Sequence, residues 1–176
     1  ELCVLLLLAA ACAPPPSGTI TGRVVFEGES DHGGVVVSAP RGGTVTGPDG
    51  RFVLTGLSGT SATVLFVAQD SVEVSQSRVA EMGGVVPDVV FRPAGVVRGT
   101  VVDAATLEPI HGALIVSSAG TGTASSAGDG TFTLAGVAAG DATLVVSYTG
   151  RGPQQKVVQV KRGAPVELGT IALGPV

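Results

Sequence analysis

Asp49-Gly-Arg-Phe-Val-Leu-Thr-Gly56-Leu57 and Asp129-Gly-Thr-Phe-Thr-Leu-Ala-Gly136-Val137 are one nine-residue pattern written twice in a chain of 176 residues. In each copy the Asp-Gly pair supplies the positive φ angles of a tight hairpin turn, and the residues that follow alternate with period two. Phe52 and Leu54, like Phe132 and Leu134, fall on one face, with Arg51 and Val53 or Thr131 and Thr133 on the other. A second Gly, two residues past the Leu, is expected to end each strand.

The repetition extends outward from this pattern. Ile20-Thr-Gly-Arg-Val-Val25 matches Val97-Arg-Gly-Thr-Val-Val102 at a shift of 77, and His32-Gly-Gly-Val-Val-Val37 matches His111-Gly-Ala-Leu-Ile-Val116 at 79. The central pattern matches at 80, and Val89-Val-Phe91 matches Ile171-Ala-Leu173 at 82. The added residues fall between apolar runs, where loops accept insertions and strands do not. Gly174-Pro-Val176 mirrors Arg92-Pro-Ala94, so both copies are expected to be complete. Two domains follow, residues 19–94 and 95–176, each small but able to bury a core.

The 27 glycines and the Val-rich alternation, without sustained 3.6-residue periodicity, point to an all-β fold. Strands are expected near 19–26, 34–39, 43–46, 51–55, 61–69, 72–79 and 85–92, and near 96–103, 113–118, 122–125, 131–135, 141–148, 154–161 and 166–173. Seven short strands per copy, punctuated by Gly and Pro, suit a β-sandwich. Alternation places Phe52, Leu54, Val64, Phe66, Phe132, Leu134, Leu144 and Val146 in the core.

The first residues are different material. Leu2-Cys-Val-Leu-Leu-Leu-Leu-Ala-Ala-Ala-Cys12 is too short to cross a bilayer but matches the core of a signal peptide. Small residues before Cys12 resemble the bacterial lipobox, at which a signal peptidase exposes the Cys for acylation. This reading makes 1–11 an N-terminally truncated lipoprotein signal peptide and Cys12 a lipidated, palmitate-type membrane anchor. Residues 12–18 become the lipidated Cys with a Pro-rich tether, Ala13-Pro-Pro-Pro-Ser-Gly18, extended as polyproline II. Ala13, by resemblance to Gram-negative sorting rules, directs the lipoprotein to the outer membrane. The competing reading is a plain secretory signal. With Cys3 removed, the mature chain keeps one Cys and forms no internal disulfide.

Gly99-Thr-Val-Val-Asp103, Glu108-Pro-Ile-His-Gly-Ala113, Gly128-Asp-Gly-Thr-Phe-Thr-Leu-Ala-Gly136 and Gly140-Asp-Ala-Thr-Leu-Val-Val146 resemble the carboxypeptidase regulatory-like domain family. The first copy keeps Gly22-Arg-Val-Val25 and the Asp49 pattern but has Asp31-His-Gly-Gly34 in place of the Pro-Ile-His-Gly-Ala stretch. The resemblance implies two tandem seven-stranded Greek-key sandwiches of the transthyretin (prealbumin) type. It also implies an accessory module of secreted and surface proteins, not an enzyme.

The residues offer little for catalysis. His32 and His111 stand before a Gly in loops and are expected to be solvent-exposed; no Gly-x-Ser-x-Gly elbow accompanies them. Asp49 and Asp129 lack the neighbouring acidic residues of a calcium loop, so turn formation explains them and no metal or other cofactor is expected. With no Asn in the chain, a Lys–Asn isopeptide cross-link is excluded. The formal charge of −4 gives no reason to expect a nucleic-acid partner. Arg151, Lys156, Lys161 and Arg162 form a basic cluster, read as charge protecting edge strands from pairing with other chains, with an anionic partner as the alternative. The function expected is a cell-envelope spacer or protein-interaction module. A carbohydrate-binding module is the alternative, and would require exposed aromatic rings.

Overall fold

The computed structural model describes residues 18–176; Cys12, the leader and all but the last residue of the tether lie outside the described residues. The first unit consists of β1 (Gly18–Phe26), β2 (Val36–Ala39), β3 (Gly42–Val45), β4 (Arg51–Leu57), β5 (Ser61–Val67), β6 (Ser75–Glu81) and β7 (Val85–Phe91). The second consists of β8 (Ala94–Asp103), β9 (Leu114–Ser117), β10 (Thr123–Ser125), β11 (Thr131–Ala138), β12 (Gly140–Ser147), β13 (Gln154–Val160) and β14 (Pro165–Leu173). The strands form a three-stranded sheet β4-β1-β7 and a four-stranded sheet β3-β2-β5-β6, repeated as β11-β8-β14 and β10-β9-β12-β13. In each unit the last strand lies parallel to the first, β7 on β1 and β14 on β8, and the other pairings are antiparallel. The fold is therefore all-β, with two sandwich-like units.

Each unit has its own apolar core, and the two cores share no residue. All eight side chains placed inside by alternation are buried. Phe52 meets Phe66 edge-on, with centroids 5.4 Å apart and planes at 70°, an arrangement that the ring quadrupoles favour.

Three local expectations are corrected. The Asp-Gly turn does not close a hairpin, because β3 pairs with β2 whereas β4 pairs with β1. It carries the chain from one sheet to the facing one. Gly50 N–H donates to Gly47 O at 2.8 Å and Gly130 N–H to Ala127 O at 2.9 Å, closing four-residue turns. Only the Gly of each Asp-Gly pair takes positive φ, +73° at Gly50 and +77° at Gly130. A Cβ at Gly130 would lie 2.5 Å from Val101 O, so both the backbone angle and the available space require Gly there.

The second Gly of the pattern does not end the strand either. Gly56 and Gly136, at φ +73° and +71°, sit inside β4 and β11. Leu54 pairs with Ile20 and Leu57 with Gly18, while Leu134 pairs with Val97 and Val137 with Gly95. Three residues advance against two, which is a β-bulge. The extra residue resets the alternation, so Leu54 and Leu57, and likewise Leu134 and Val137, are buried together although three positions separate them.

Finally, the strand expected at 72–79 begins only at Ser75. The alternating Val72-Glu-Val74 imitates a strand but is loop. Val72 N–H donates to Arg92 O, Val74 O accepts from Ala68 N–H, and Ser71 Oγ donates toward Ala68 O and Glu73 O.

Gly130→Val should cost at least about 1–3 kcal/mol through backbone strain, with the Val101 contact adding to it. Phe132→Ala should cost about 3–5 kcal/mol. Denaturant unfolding of both variants checks the pair, and parent-like stability of Phe132→Ala would invert the assignment of the inner face. Residues 94–176 expressed alone should unfold cooperatively with a β-type circular dichroism spectrum, since their core is self-contained.

Candidate functional site

The two His residues part company in the structure. His32 is only 7% exposed, and its Nδ1 accepts the Phe26 N–H at 3.1 Å, whereas His111 is exposed. Hydrogen bonds explain the difference. Thr46 Oγ1 donates to His32 O at 3.0 Å and accepts from Val35 N–H at 3.1 Å. Ser126 Oγ donates to Ile110 O at 2.6 Å and accepts from Ala113 N–H at 2.9 Å. His32 therefore corresponds to the buried Ile110, one residue before His111, and the shift over this stretch is 78 instead of 79. The imidazole fills an apolar position while its nitrogen satisfies a backbone donor. The two rings are not a site.

The acidic residues serve turns. Asp49 Oδ1 accepts from Arg51 N–H at 3.1 Å, and Asp129 Oδ1 accepts from Thr131 N–H at 3.0 Å and from the Thr131 hydroxyl at 2.7 Å. The hydroxyl bond, then the backbone bond, hold the Asp129 carboxyl below the ordinary carboxylate value. Among the described residues no three His, Cys, Asp or Glu side chains gather as metal ligands. Sequence reasoning gave no role to Asp103, which is 6% exposed at the end of β8. It accepts from Ala105 N–H at 2.7 Å and Thr106 N–H at 3.2 Å, and pairs with Arg151. Those backbone donors, with Arg151 adding to them, lower its pKa.

The residues of the basic cluster are put to different uses. Arg151 is bound to Asp103 within its own unit. Lys156 lies on β13, an edge strand, opposite the buried Leu144; Arg78 holds the matching place on edge strand β6, opposite the buried Val64. A charge at an inner-facing position of an edge strand resists pairing with another chain. Edge protection thus describes Lys156, and Arg78 performs it in the first unit. Arg162 leaves its own unit altogether. From the turn between β13 and β14 its Nε reaches Asp70 Oδ2 at 2.5 Å, and its other nitrogens donate to the carbonyls of Gly33, at 2.6 Å, and Asp31. Its guanidinium carbon lies 3.4 Å from the centroid of the Phe26 ring. Nearby, Ala94 N–H donates to Asp70 O and Ala139 N–H to Pro93 O, both at 2.8 Å. The junction between the units has no slack, since β7 ends at Phe91 and β8 begins at Ala94.

The outer faces remain. All five Phe residues are buried, and Tyr148 is the exposed aromatic ring, at 40%. The outer face of the four-stranded sheet presents Val36, Val45, Leu65 and Val79 in the first unit and Leu114 and Val157 in the second. Neighbouring strands set Val36 beside Val45 and Thr63 beside Val79. These Val and Leu side chains share the face with Ser and Thr, and a carboxylate stands at a strand end in each unit, Glu81 opposite Ser61 and Asp141 opposite Gln159.

What fold and surfaces define is a tandem β-sandwich module with a tight joint. Residues 97–171, from β8 into β14, match the CarboxypepD_reg-like domain family, which bears out for the second unit the resemblance read from its motifs. No curated protein matches the chain. Among solved structures, the Bacillus anthracis TIE protein aligns at 13% identity and TM-score 0.43, covering 91% of this chain and 34% of its own. The shaft pilin SpaA from Lactobacillus rhamnosus GG aligns at 10% identity and TM-score 0.37, covering 91% of this chain and 98% of its own. GBS52, the minor pilin of Streptococcus agalactiae, aligns at 14% identity and TM-score 0.39, with 91% and 97% covered. This chain thus spans about a third of the TIE protein.

A carboxyl whose pKa is lowered by folding stabilises the fold above its unfolded value, about 3.9 for Asp, and that contribution is lost as pH falls through the lower folded value. Asp103 and Asp129 both act in this direction. Stability should therefore drop below about pH 4, and Asp103→Asn should flatten that drop while lowering stability at neutral pH. Thermal unfolding measured across pH decides it.

Proposed function

We propose that the chain is a non-catalytic module of the cell envelope, a lipid-anchored spacer that carries a protein-binding surface outward. One observation carries the reading: the charged side chains that the fold gathers hold turns and the joint. Asp49, Asp129 and Asp103 brace turns, Arg151 pairs with Asp103, and Arg162 joins the two units. Cys12 supplies the membrane attachment in this reading, with the tether extending from it. One acyl chain holds a protein only marginally, whereas two or more hold it stably. Outer-membrane placement follows from Ala13. The exposed Val and Leu side chains of the outer sheet faces favour a protein partner, and with all five Phe rings buried a sugar would find Tyr148 as its stacking ring.

The test is the full-length gene expressed in a Gram-negative host. The parent should enter the detergent phase on phase partition and take up labelled palmitate, and Cys12→Ser should take up none and keep its leader uncleaved. A parent found in the aqueous phase, processed in the same way as Cys12→Ser, would make it a plain secreted protein.

A further inference from the structure

Arg162 occupies a compartment built wholly by the first unit: Phe26 from the end of β1, Asp31 and Gly33 from the loop that follows, and Asp70 from the loop between β5 and β6. We infer that this end of the first unit is a guanidinium-binding socket, that Arg162 is its resident ligand, and that the filled socket makes the two units one rigid body. The inference stands whether or not the chain is lipidated.

The chemistry of the socket matches the planar guanidinium on both its face and its edge. The ring of Phe26 takes the face, and the carboxylate and two carbonyls take donors fanned around the edge. A Lys ammonium has no flat face and presents its donors from a single point. Only 12% of the Arg162 side chain is exposed, so solvent screens these contacts little. Joined domains with a small interface move relative to each other by default; this one is pinned.

The internal repeat serves as a control. Phe26 pairs with Phe91 as Asp103 pairs with Leu173, and Ser71 bridges Pro93 as Arg151 bridges Pro175. The second unit therefore has Asp103 in place of the ring of Phe26 and Gly150 in place of the carboxylate of Asp70, and it closes that end with its own Asp103–Arg151 pair. The arm is missing from the first unit. Its β6–β7 turn, closed by Gly84 N–H to Glu81 O, matches the β13–β14 turn closed by Ala164 N–H to Lys161 O. Met82 stands where Arg162 would be and packs on its own core. With its single arm seated in its own socket, a chain has neither left to join another copy in this way.

Amide 15N relaxation of the full chain tests this. The parent should show one rotational correlation time for both units. Arg162→Ala and Arg162→Lys should each split it into two shorter times with the core resonances of both units preserved, and Asp70→Asn should do the same should the Arg162 variants not fold. Titrating ethylguanidinium into Arg162→Ala should shift the Phe26 and Gly33 resonances saturably. A single parent-like correlation time in Arg162→Ala, or in Asp70→Asn where that variant decides, would overturn the lock. The absence of any guanidinium-dependent shift would overturn the socket.

Discussion

The hydrogen bond from Val101 N–H to Gly130 O, 2.8 Å, and its counterpart from Val24 N–H to Gly50 O, also 2.8 Å, set the rest of each unit. Each ties the turn that crosses between sheets to the central strand of the three-stranded sheet, at the third residue from that strand's end. From there the register runs on without choice, with Thr131 beside Thr100, Phe132 beside Gly99 and Leu134 beside Val97. A slip of one residue would turn Phe132 and Leu134 to solvent. The bond needs the turn backbone against the strand, which is why Gly stands there.

Much of this was legible because it is local. Period-two alternation in Val, Leu and Phe runs located the strands and the inner faces of Phe52, Leu54, Phe132 and Leu134, because burial of one sheet face writes itself into adjacent residues. Sheet membership was not legible. Whether β4 pairs with β3 or crosses to β1 depends on partners far apart in sequence, and an Asp-Gly turn serves either path. The alignment of His32 with His111 failed for a related reason. Two His-Gly dipeptides look equivalent on the page, yet the hydroxyls of Thr46 and Ser126 grip the residues 78 apart, His32 and Ile110. Of the candidate site residues, Asp49 and Asp129 were read as turn formers, and that is what they do. Arg162 was read as surface charge because nothing in the sequence links it to Asp70, 92 positions away.

The joint and the edges work in opposite directions. Arg162 creates one specific contact between sandwiches within the chain. Arg78 and Lys156, set on the inner side of edge strands, oppose contacts of the strand-pairing kind between chains. The spacer role proposed for the chain requires both properties, stiffness along its length and reluctance to stack sideways on its neighbours. What is left for association is the outer face of the four-stranded sheets, where Val36, Val45 and Val79 meet solvent.

Two similar sandwiches in one polypeptide also face a hazard during synthesis, since a strand of one can be taken up by the other. The unlike ends of β1 and β8 bear on it. Phe26 stacks against Phe91 at 5.9 Å between centroids, while Asp103 lies beside Leu173 and needs Arg151. Were β8 to seat against β7, Asp103 would lie against Phe91 with its arginine in the wrong body. The divergence of the two copies at this position thus works as an address, telling each strand to which half of the nascent chain it belongs.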